Sequence, residues 1–134
     1  MLGTERTKIV QHIFPTLRIT DYEDSIDFYI RRLGFNIDWE HKFEADFPVF
    51  MQISKFGLSI YLSEHAGDCS AGGLIYFYVP DVDTWYDHCK NRGIVVEYAP
   101  VNQPWGNRDF RMKDPDGNQI CVATRIPDLD DRPE

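Results

Sequence analysis

The chain carries an internal repeat with a spacing of about 60 residues. Asp21 and Asp81 are 60 positions apart, and so are Gly57 and Gly117. Residues 57–62 also overlay residues 117–122 with their apolar positions in phase. Further pairs share or nearly share this register: Leu17 with Phe77, Ile19 with Val79, and Gly34 with Gly93. A period this long with only two copies predicts a pair of related modules rather than a solenoid.

The first copy is predicted to be a βαβββ unit. Alternating residues predict a strand over residues 9–20, with Ile13, Leu17 and Ile19 on one face. Asp21 is predicted to cap a helix that runs to about residue 33 and ends at Gly34. Three strands are then predicted over residues 35–41, 49–54 and 58–63.

The second copy repeats this order after a loop over residues 64–73. Asp81 is predicted to cap its helix, which ends at Gly93. A β-hairpin closes the copy around Asp114-Pro115-Asp116-Gly117-Asn118, in which Pro fixes one φ and Asp-Gly favours a tight turn. The strands of this copy are predicted over residues 74–79, 94–98, 107–113 and 118–123.

Composition and charge exclude several classes of protein. The net charge is −8, and the 14 Lys and Arg residues form no cluster, so no nucleic-acid partner is expected. The chain has three cysteines, an odd number, and none of them shows CxxC spacing: Cys69, Cys89 and Cys121. This pattern argues against a disulfide framework and a structural zinc site. No signal pattern and no apolar run of about 20 residues is present, so we expect a cytoplasmic protein without a membrane partner.

These features resemble the vicinal oxygen chelate superfamily, which includes glyoxalase I, extradiol dioxygenases and the bleomycin resistance proteins. The resemblance covers about residues 9–124, and it is carried by the two βαβββ copies, the helix ends at Gly34 and Gly93, and the Asp114–Asn118 turn. The chain is most similar to the bleomycin resistance branch in four segments: Pro15-Thr16-Leu17, Leu33-Gly34-Phe35, Tyr61-Leu62-Ser63-Glu64-His65 and Arg108-Asp109-Phe110.

The resemblance implies an α+β fold in which two tandem βαβββ modules form a curved sheet around a cleft. It implies one domain over residues 1–134, made of a module over residues 9–63 and a module over residues 73–124. It also implies that the chain forms a homodimer.

The resemblance further allows a test for metal chemistry. Catalytic members of the superfamily hold a divalent metal through His, Gln or Glu at four matching positions. Carried over by spacing, these positions hold Phe14, Tyr61, Leu74 and Cys121 in this chain. Three of these are not ordinary metal ligands, and one cysteine does not make a site. We therefore expect no metal and no cofactor, and we assign no catalytic residue.

The concave sheet faces are predicted to be aromatic instead. Strand alternation places Phe14, Tyr61, Tyr76, Tyr78 and Cys121 on these faces. Flat rings beside a few charges suit a small planar or cationic ligand, through stacking and cation–π contacts. The predicted ligand-binding residues are Trp39, Phe43, Phe47, Tyr61, Tyr76, Trp105, Asp109 and Arg111.

Three functions stay open. The first is a metal-independent protein that sequesters an antibiotic-type molecule in an aromatic dimer cleft, as the resemblance implies. The second is a divergent lyase, isomerase or dioxygenase whose metal is held by unanticipated ligands such as Glu64 and His65, which form a polar cluster with Asp68. The third is a structural or regulatory dimer with a vestigial cleft. Metal content separates the first from the second, and ligand binding separates the first from the third.

Overall fold

The computed structural model describes residue 11 and residues 13–126, which form two four-stranded sheets and two helices. The strand order is β1-β4-β3-β2 in the first sheet and β5-β8-β7-β6 in the second. In each sheet the strand before the helix pairs in parallel with the last strand, and the other pairs are antiparallel. The predicted α+β fold with two βαβββ units is confirmed. The elements are β1 (Thr16–Arg18), α1 (Tyr22–Ser25) continuing as a π-helical segment (Ile26–Arg32), β2 (Asn36–His41), β3 (Phe50–Lys55), β4 (Leu58–Ser63), β5 (Leu74–Tyr78), α2 (Val82–Asn91), β6 (Val96–Asn102), β7 (Asn107–Lys113) and β8 (Gln119–Arg125).

The core lies against one face of each sheet, and the strand register decides which side chains reach it. In the first sheet the register sets Leu17, Leu62 and Met51 side by side, and all three are buried. In the second sheet Phe77 pairs with Val122 in the same way. Because neighbouring residues of a strand point to opposite faces, the residues between these buried ones form the opposite, open face of each sheet.

Both predicted helix caps are confirmed. The carboxylate of Asp21 accepts a hydrogen bond from the N–H of Asp24 at 3.0 Å. The carboxylate of Asp81 accepts from the N–H groups of Asp83 at 3.1 Å and Thr84 at 3.3 Å. These bonds satisfy backbone donors that a helix leaves unpaired at its start. Among the described residues, neither helix is long and apolar enough to cross a bilayer.

The first helix departs from α-helical geometry after its first turn. From Ile26 onward it is π-helical, and the N–H of Leu33 bonds to the carbonyl of Phe28, five residues back, at 2.9 Å. Phe28 and Tyr29 both lie in this segment, and both are buried. The 3.6-residue period of the sequence predicts an apolar stripe of Tyr22, Ile26, Tyr29, Ile30 and Leu33, which does not include Phe28.

The repeat appears in the structure as a reciprocal contact between the ends of the two helices. Arg32 Nη1 donates to the carbonyl of Gly93 at 3.0 Å, and Arg92 Nη1 donates to the carbonyl of Arg31 at 3.0 Å. Each bond joins positions 61 residues apart. Cationic groups on carbonyls at helix C-termini are stabilising, because those carbonyls carry partial negative charge. The two halves also share one continuous cluster of buried residues.

The largest difference from the sequence-based prediction lies at the first strand. The strand predicted over residues 9–20 is shortened to β1, and Ile13, predicted to face the core, is 87% exposed. Pro15 accounts for the difference, since it has no N–H to give to the ladder and β1 starts just after it. Residues 9, 10 and 12 of that prediction lie outside the described residues. In the second half, β6 starts at Val96 rather than residue 94 and runs on to Asn102 through two irregularities.

Candidate ligand-binding surfaces

An aromatic platform of four rings, Phe14, Trp39, Phe50 and Tyr61, covers the open face of the first sheet. Tyr61 is at its centre, and the ring of Phe14 stacks on it with 4.7 Å between centroids and 13° between planes. The rings of Phe50 and Trp39 lie 5.0 Å and 5.7 Å from the ring of Tyr61. Alternation along β4 explains the placement, because Tyr61 precedes the buried Leu62 and therefore points to the opposite face.

Trp39 reaches the platform through an irregularity in strand pairing. The register between β2 and β3 shifts between Ile37 and Trp39, as in a β-bulge. The carboxylate of Asp38 holds this geometry by accepting hydrogen bonds from Gln52 Nε2 and Ser54 Oγ, each at 2.8 Å. Trp39 stays 40% exposed, so part of its ring is free for a ligand.

Phe43, from the β2–β3 loop, extends the platform. Its ring lies edge-on to the ring of His41 at 4.7 Å and to that of His65 at 6.2 Å. A concavity of about 230 Å³ lies at this end of the platform and is lined by His41, Phe43, Phe50, His65 and Asp68. Phe43 itself is 69% exposed. Two imidazoles and one phenyl group thus form the wall beside the stacked rings.

Phe47, from the same loop, lies on another surface. It lines a more polar concavity of about 480 Å³ together with Thr20, Tyr22, Lys42 and Glu64. The ring has no aromatic contact with the platform among the described residues. The structure therefore separates Phe47 from Trp39 and Tyr61, with which the sequence grouped it.

Glu64 and His65, the candidate proton-transfer pair, hold the loop structure. Glu64 Oε1 accepts the N–H of Val49 at 2.9 Å, and the N–H of Glu64 donates to the carbonyl of Val49 at 2.9 Å. The N–H of His65 donates to Ser63 Oγ at 3.1 Å. Within the part of the chain that the structure describes, no hydrogen bond joins the Glu64 carboxylate to the His65 ring.

The residues at the four positions where the resemblance expects metal ligands do not fit a metal. Phe14 and Tyr61 are stacked on each other, and Leu74 is aliphatic. Cys121 is fully buried, and burial raises the pKa of its thiol to about 11, so it stays protonated at neutral pH. Among residues 13–126 no group of three or more His, Cys, Asp or Glu is placed to hold a metal ion. We derive no chemical step through a metal.

The second-sheet face, as we name the open side of β5, β6, β7 and β8, carries phenol and polar groups. One row crosses all four strands in register: Tyr76, Cys121, Arg111 and Tyr98. The rings of Tyr76 and Tyr78 lie nearly parallel, 19° apart, with 6.2 Å between centroids. This face therefore offers flat rings beside a guanidinium group, in contrast to the purely aromatic centre of the platform.

Asp109 lies on this face but is 1% exposed and already bonded. Its Oδ1 accepts hydrogen bonds from Tyr98 Oη at 2.9 Å and from Gln103 Nε2 at 3.0 Å. Burial and the bond to Asp109 raise the pKa of Tyr98 above its ordinary value. The bond to Gln103 fixes the β6–β7 turn, on which Trp105 is displayed with 58% of its surface exposed. Asp109 thus positions this turn, and its carboxylate is not open to solvent.

The structure places the predicted ligand-binding residues other than Phe47 in two groups. Trp39, Phe43 and Tyr61 lie on or beside the platform. Tyr76, Asp109 and Arg111 lie on the second-sheet face, and Trp105 lies in the turn next to it. Among the described residues no ring contact or hydrogen bond joins the two groups. Tyr98 and Gln103 are absent from the sequence-predicted site, because the irregular pairing of β6 hides the alternation that would have placed Tyr98.

A separate apolar concavity of about 340 Å³ lies between the β3–β4 turn and the start of α2. Its walls are Phe56, Leu58, Tyr78, Val79, Pro80, Asp81, Thr84 and Trp85. Phe56 is 87% exposed and has a φ of +49°, which an L-residue with a large side chain rarely adopts. Of these lining residues, Tyr78 is the one that lies on the second-sheet face.

Comparisons with known proteins agree with the fold. A family described as glyoxalase superfamily protein matches residues 4–128. YraH, an uncharacterised protein of Bacillus subtilis (strain 168), is 28% identical over 79% of this chain and 91% of its own length. A glyoxalase/bleomycin resistance protein from Streptomyces sp. CB03234 is 26% identical with a TM-score of 0.67, covering 81% of this chain and 96% of that one. A bleomycin-binding protein solved in complex with bleomycin is 25% identical with a TM-score of 0.67. The match covers 86% of this chain and 98% of that one.

Proposed function

The chain belongs to the glyoxalase superfamily, and on that premise we propose that it binds an antibiotic-type small molecule by sequestration, without metal and without transforming it. The observation that carries this proposal is the aromatic platform, whose rings are held by strand register and left open on one side. Similarity to a protein solved with bleomycin bound supports a binding role. The proposed ligand is small, and planar or cationic.

The chemistry of the platform supports a flat ligand. Offset or tilted ring pairs contribute about 0.5–1.5 kcal/mol beyond their buried area, and cations over rings about 0.5–2 kcal/mol. Trp39 at 40% exposed and Phe43 at 69% exposed can each cover one side of a ligand. Rings already packed against one another lose little conformational entropy on binding, so the surface is preorganised.

We propose that the working unit is a homodimer. In one chain the platform and the second-sheet face are both open, and no contact among the described residues brings them together. A cleft with both walls can form when the platform of one copy faces the second-sheet face of another. The exposed rings of Trp39, Tyr76 and Tyr78 would then be covered on assembly. Mass measurement at micromolar concentration tests this, and a monomer at that concentration contradicts it.

The experiment that tests the binding proposal combines metal analysis with calorimetric titration of a bleomycin-type glycopeptide. We expect no stoichiometric metal and saturable binding near one ligand per chain. Trp39→Ala should weaken the affinity by about 1–3 kcal/mol, as loss of a stacking anchor does. Phe56→Ala is the matched control, because it removes an exposed ring that lies away from the platform.

Two outcomes contradict the proposal. Equal affinity of Trp39→Ala and the unchanged protein would remove the platform from the binding site. Stoichiometric Fe, Mn, Ni or Zn together with no response to the drug would favour a divergent metalloenzyme whose ligands lie outside the four matching positions.

A further inference from the structure

The charge on the second-sheet face is opposite to that of the chain. The protein carries a net charge of −8, yet among the described residues the ionic groups that this face leaves without an opposite partner are arginines. Asp109 is buried and bonded to Tyr98 and Gln103, so its carboxylate is not accessible to a ligand. Lys113 forms an ion pair with Glu97 at 3.3 Å and adds no free charge. Arg111 and Arg125 remain.

Arg111 is the more unusual of the two. Its side chain is half-buried, and among the described residues no carboxylate lies within 4.0 Å of its guanidinium group. The one oxygen that accepts from it there is Gln119 Oε1, at 3.3 Å from Nη1. Its Nε is buried and has no hydrogen-bond partner. A guanidinium group has five N–H donors, so Gln119 and the neighbouring Cys121 thiol leave some of them available to a ligand.

Partial burial opposes the charged form of Arg111, because it removes water that would otherwise bond to the guanidinium group. The neighbours of Arg111 across the strands are Tyr98 and Cys121, and neither carries negative charge at neutral pH, since burial raises the pKa of both side chains. Among the described residues, Arg111 therefore forms no direct ion pair within the sheet. The planar guanidinium group of Arg111 can donate two parallel hydrogen bonds to the two oxygens of a carboxylate.

We propose that Arg111 is an oxyanion subsite, and that the ligand is a planar aromatic molecule bearing a carboxylate. The ring of that ligand lies on Tyr76, which is 40% exposed two strands away in the same row, and the carboxylate meets the Nη atoms of Arg111. This subsite rests on the proposed function, since the second-sheet face is one wall of the proposed cleft. It narrows the ligand from planar or cationic to planar with an anionic group.

Arg125 does not form this contact. Its guanidinium lies over the ring of Tyr78 at 5.0 Å, and the side chain is exposed. It lies four positions along β8 from Cys121, the register partner of Arg111. An exposed charge is screened by salt and contributes only to the general potential of the face. Arg125 is therefore a matched control, because it carries the same charge on the same face but its guanidinium group is exposed to water.

The test uses three probes with one ring system: 2-naphthoate, neutral 2-naphthalenemethanol and the cation of 2-naphthylmethylamine. Each is titrated into the ¹⁵N-labelled full chain and followed by NMR, including the Nε–Hε signal of Arg111. We expect 2-naphthoate to bind about tenfold or more tighter than the alcohol, as a charge-assisted hydrogen bond implies, and the cation to bind weakest. Arg111→Gln should abolish this preference, and Arg125→Gln should retain it.

The variants separate this subsite from the platform. If Trp39→Ala weakens all three probes and no charge preference exists, the proposed function stands and the Arg111 subsite is wrong. If the preference is lost in Arg111→Gln while Trp39→Ala binds normally, the subsite stands and the platform is wrong. Equal affinity for 2-naphthoate in Arg111→Gln and the unchanged chain overturns the subsite, as does the absence of saturable binding by any probe. If Arg111→Gln does not fold, the Nε–Hε signal of Arg111 in the unchanged chain decides the case: a shift with 2-naphthoate and none with the alcohol supports the subsite, and no shift overturns it.

Discussion

The hydroxyl of Tyr29 donates a 2.6 Å hydrogen bond to Oδ2 of Asp114, 85 positions further along the chain. Tyr29 is fully buried in the π-helical segment of the first half, and Asp114 begins the β7–β8 turn of the second. Oδ1 of Asp114 also accepts the N–H groups of Asp116 and Asn118 at 2.9 Å each. The turn that closes the second hairpin therefore also joins the two halves.

Loss of the Tyr29 hydroxyl should destabilise the whole chain. In Tyr29→Phe the Asp114 carboxylate keeps its buried position but loses one donor, so the free energy of unfolding should fall by about 1–3 kcal/mol. Tyr22→Phe is the matched control, since its hydroxyl bonds to Glu40 at an exposed site, and we expect a change within about 0.5 kcal/mol. Urea unfolding of both variants measures the difference. Equal losses would show that the Tyr29–Asp114 bond does not hold the halves together.

The β3–β4 turn should gain stability from a change at Phe56. Phe56 and Gly57 have φ values of +49° and +87°, the two positive values that favour Asn-Gly in tight hairpins. Phe56→Asn should therefore raise the free energy of unfolding by about 0.5–1 kcal/mol, net of the contact between the Phe56 ring and Lys55 Nζ.

Gly57→Ala provides the converse control for this turn. A Cβ at Gly57 meets no atom within 4 Å, so only the backbone conformation opposes it, at a cost of about 1–2 kcal/mol. Thermal unfolding of the two variants should show shifts of opposite sign. A loss of stability in Phe56→Asn would mean that the exposed ring stabilises the turn by more than the strain it imposes.

Local chemistry made much of the fold predictable from sequence. Asp21 and Asp81 each bond to N–H groups two or three residues ahead, so the caps need no information from the rest of the chain. Strict alternation in β4 placed Tyr61 opposite Leu62, and residues 58–63 were predicted with the bounds of the strand. Because the two halves repeat the same order of elements, a strand or helix predicted in one half also predicted its counterpart in the other.

Other features depended on contacts that no local pattern encodes. The π-helical segment includes Phe28 in the core, and its geometry goes with the long-range bond from Tyr29 to Asp114. The register shifts in β6 put Tyr98 beside Arg111, which simple alternation does not reveal. The sequence predicts that Asp109 is open to a ligand. In the structure it is buried, and Tyr98 from β6 and Gln103 from the following turn donate hydrogen bonds to it.

Stability should fall at alkaline pH because of two buried thiols. Burial raises the pKa of both Cys89 and Cys121 from the usual 9.0 to about 11. Between these values the unfolded chain has released protons that the folded chain still holds, so the free energy of unfolding declines as pH rises. Each thiol contributes a slope of up to about 1.4 kcal/mol per pH unit in this window.

Urea unfolding from pH 7.5 to 10.5 measures this slope. The Cys89→Ala/Cys121→Ala double variant should be less stable throughout, because it leaves small cavities, but its profile should be flatter above pH 9. Only the slope is diagnostic. An identical decline in both proteins would assign the pH dependence to other groups. Tyr29 is one such group, and burial raises its pKa well above the usual 10.0, so its effect on stability continues to higher pH.

Trp105 should act as a second stacking anchor that the fold does not need. It is 58% exposed in the β6–β7 turn, whose position is set by Gln103 and Asp109 rather than by the indole ring. Trp105→Ala should weaken binding of a bleomycin-type glycopeptide by about 1–3 kcal/mol and leave the free energy of unfolding within about 0.5 kcal/mol. Calorimetric titration and urea unfolding give the two quantities.

Gln103→Ala tests whether the position of the turn matters for binding. This variant keeps the indole ring but removes the bond from Gln103 to Asp109 that fixes the turn, so the affinity should fall by less than in Trp105→Ala. An unchanged affinity in Trp105→Ala would place this ring outside the ligand site and leave Tyr76 and Arg111 as the contacts on the second-sheet face.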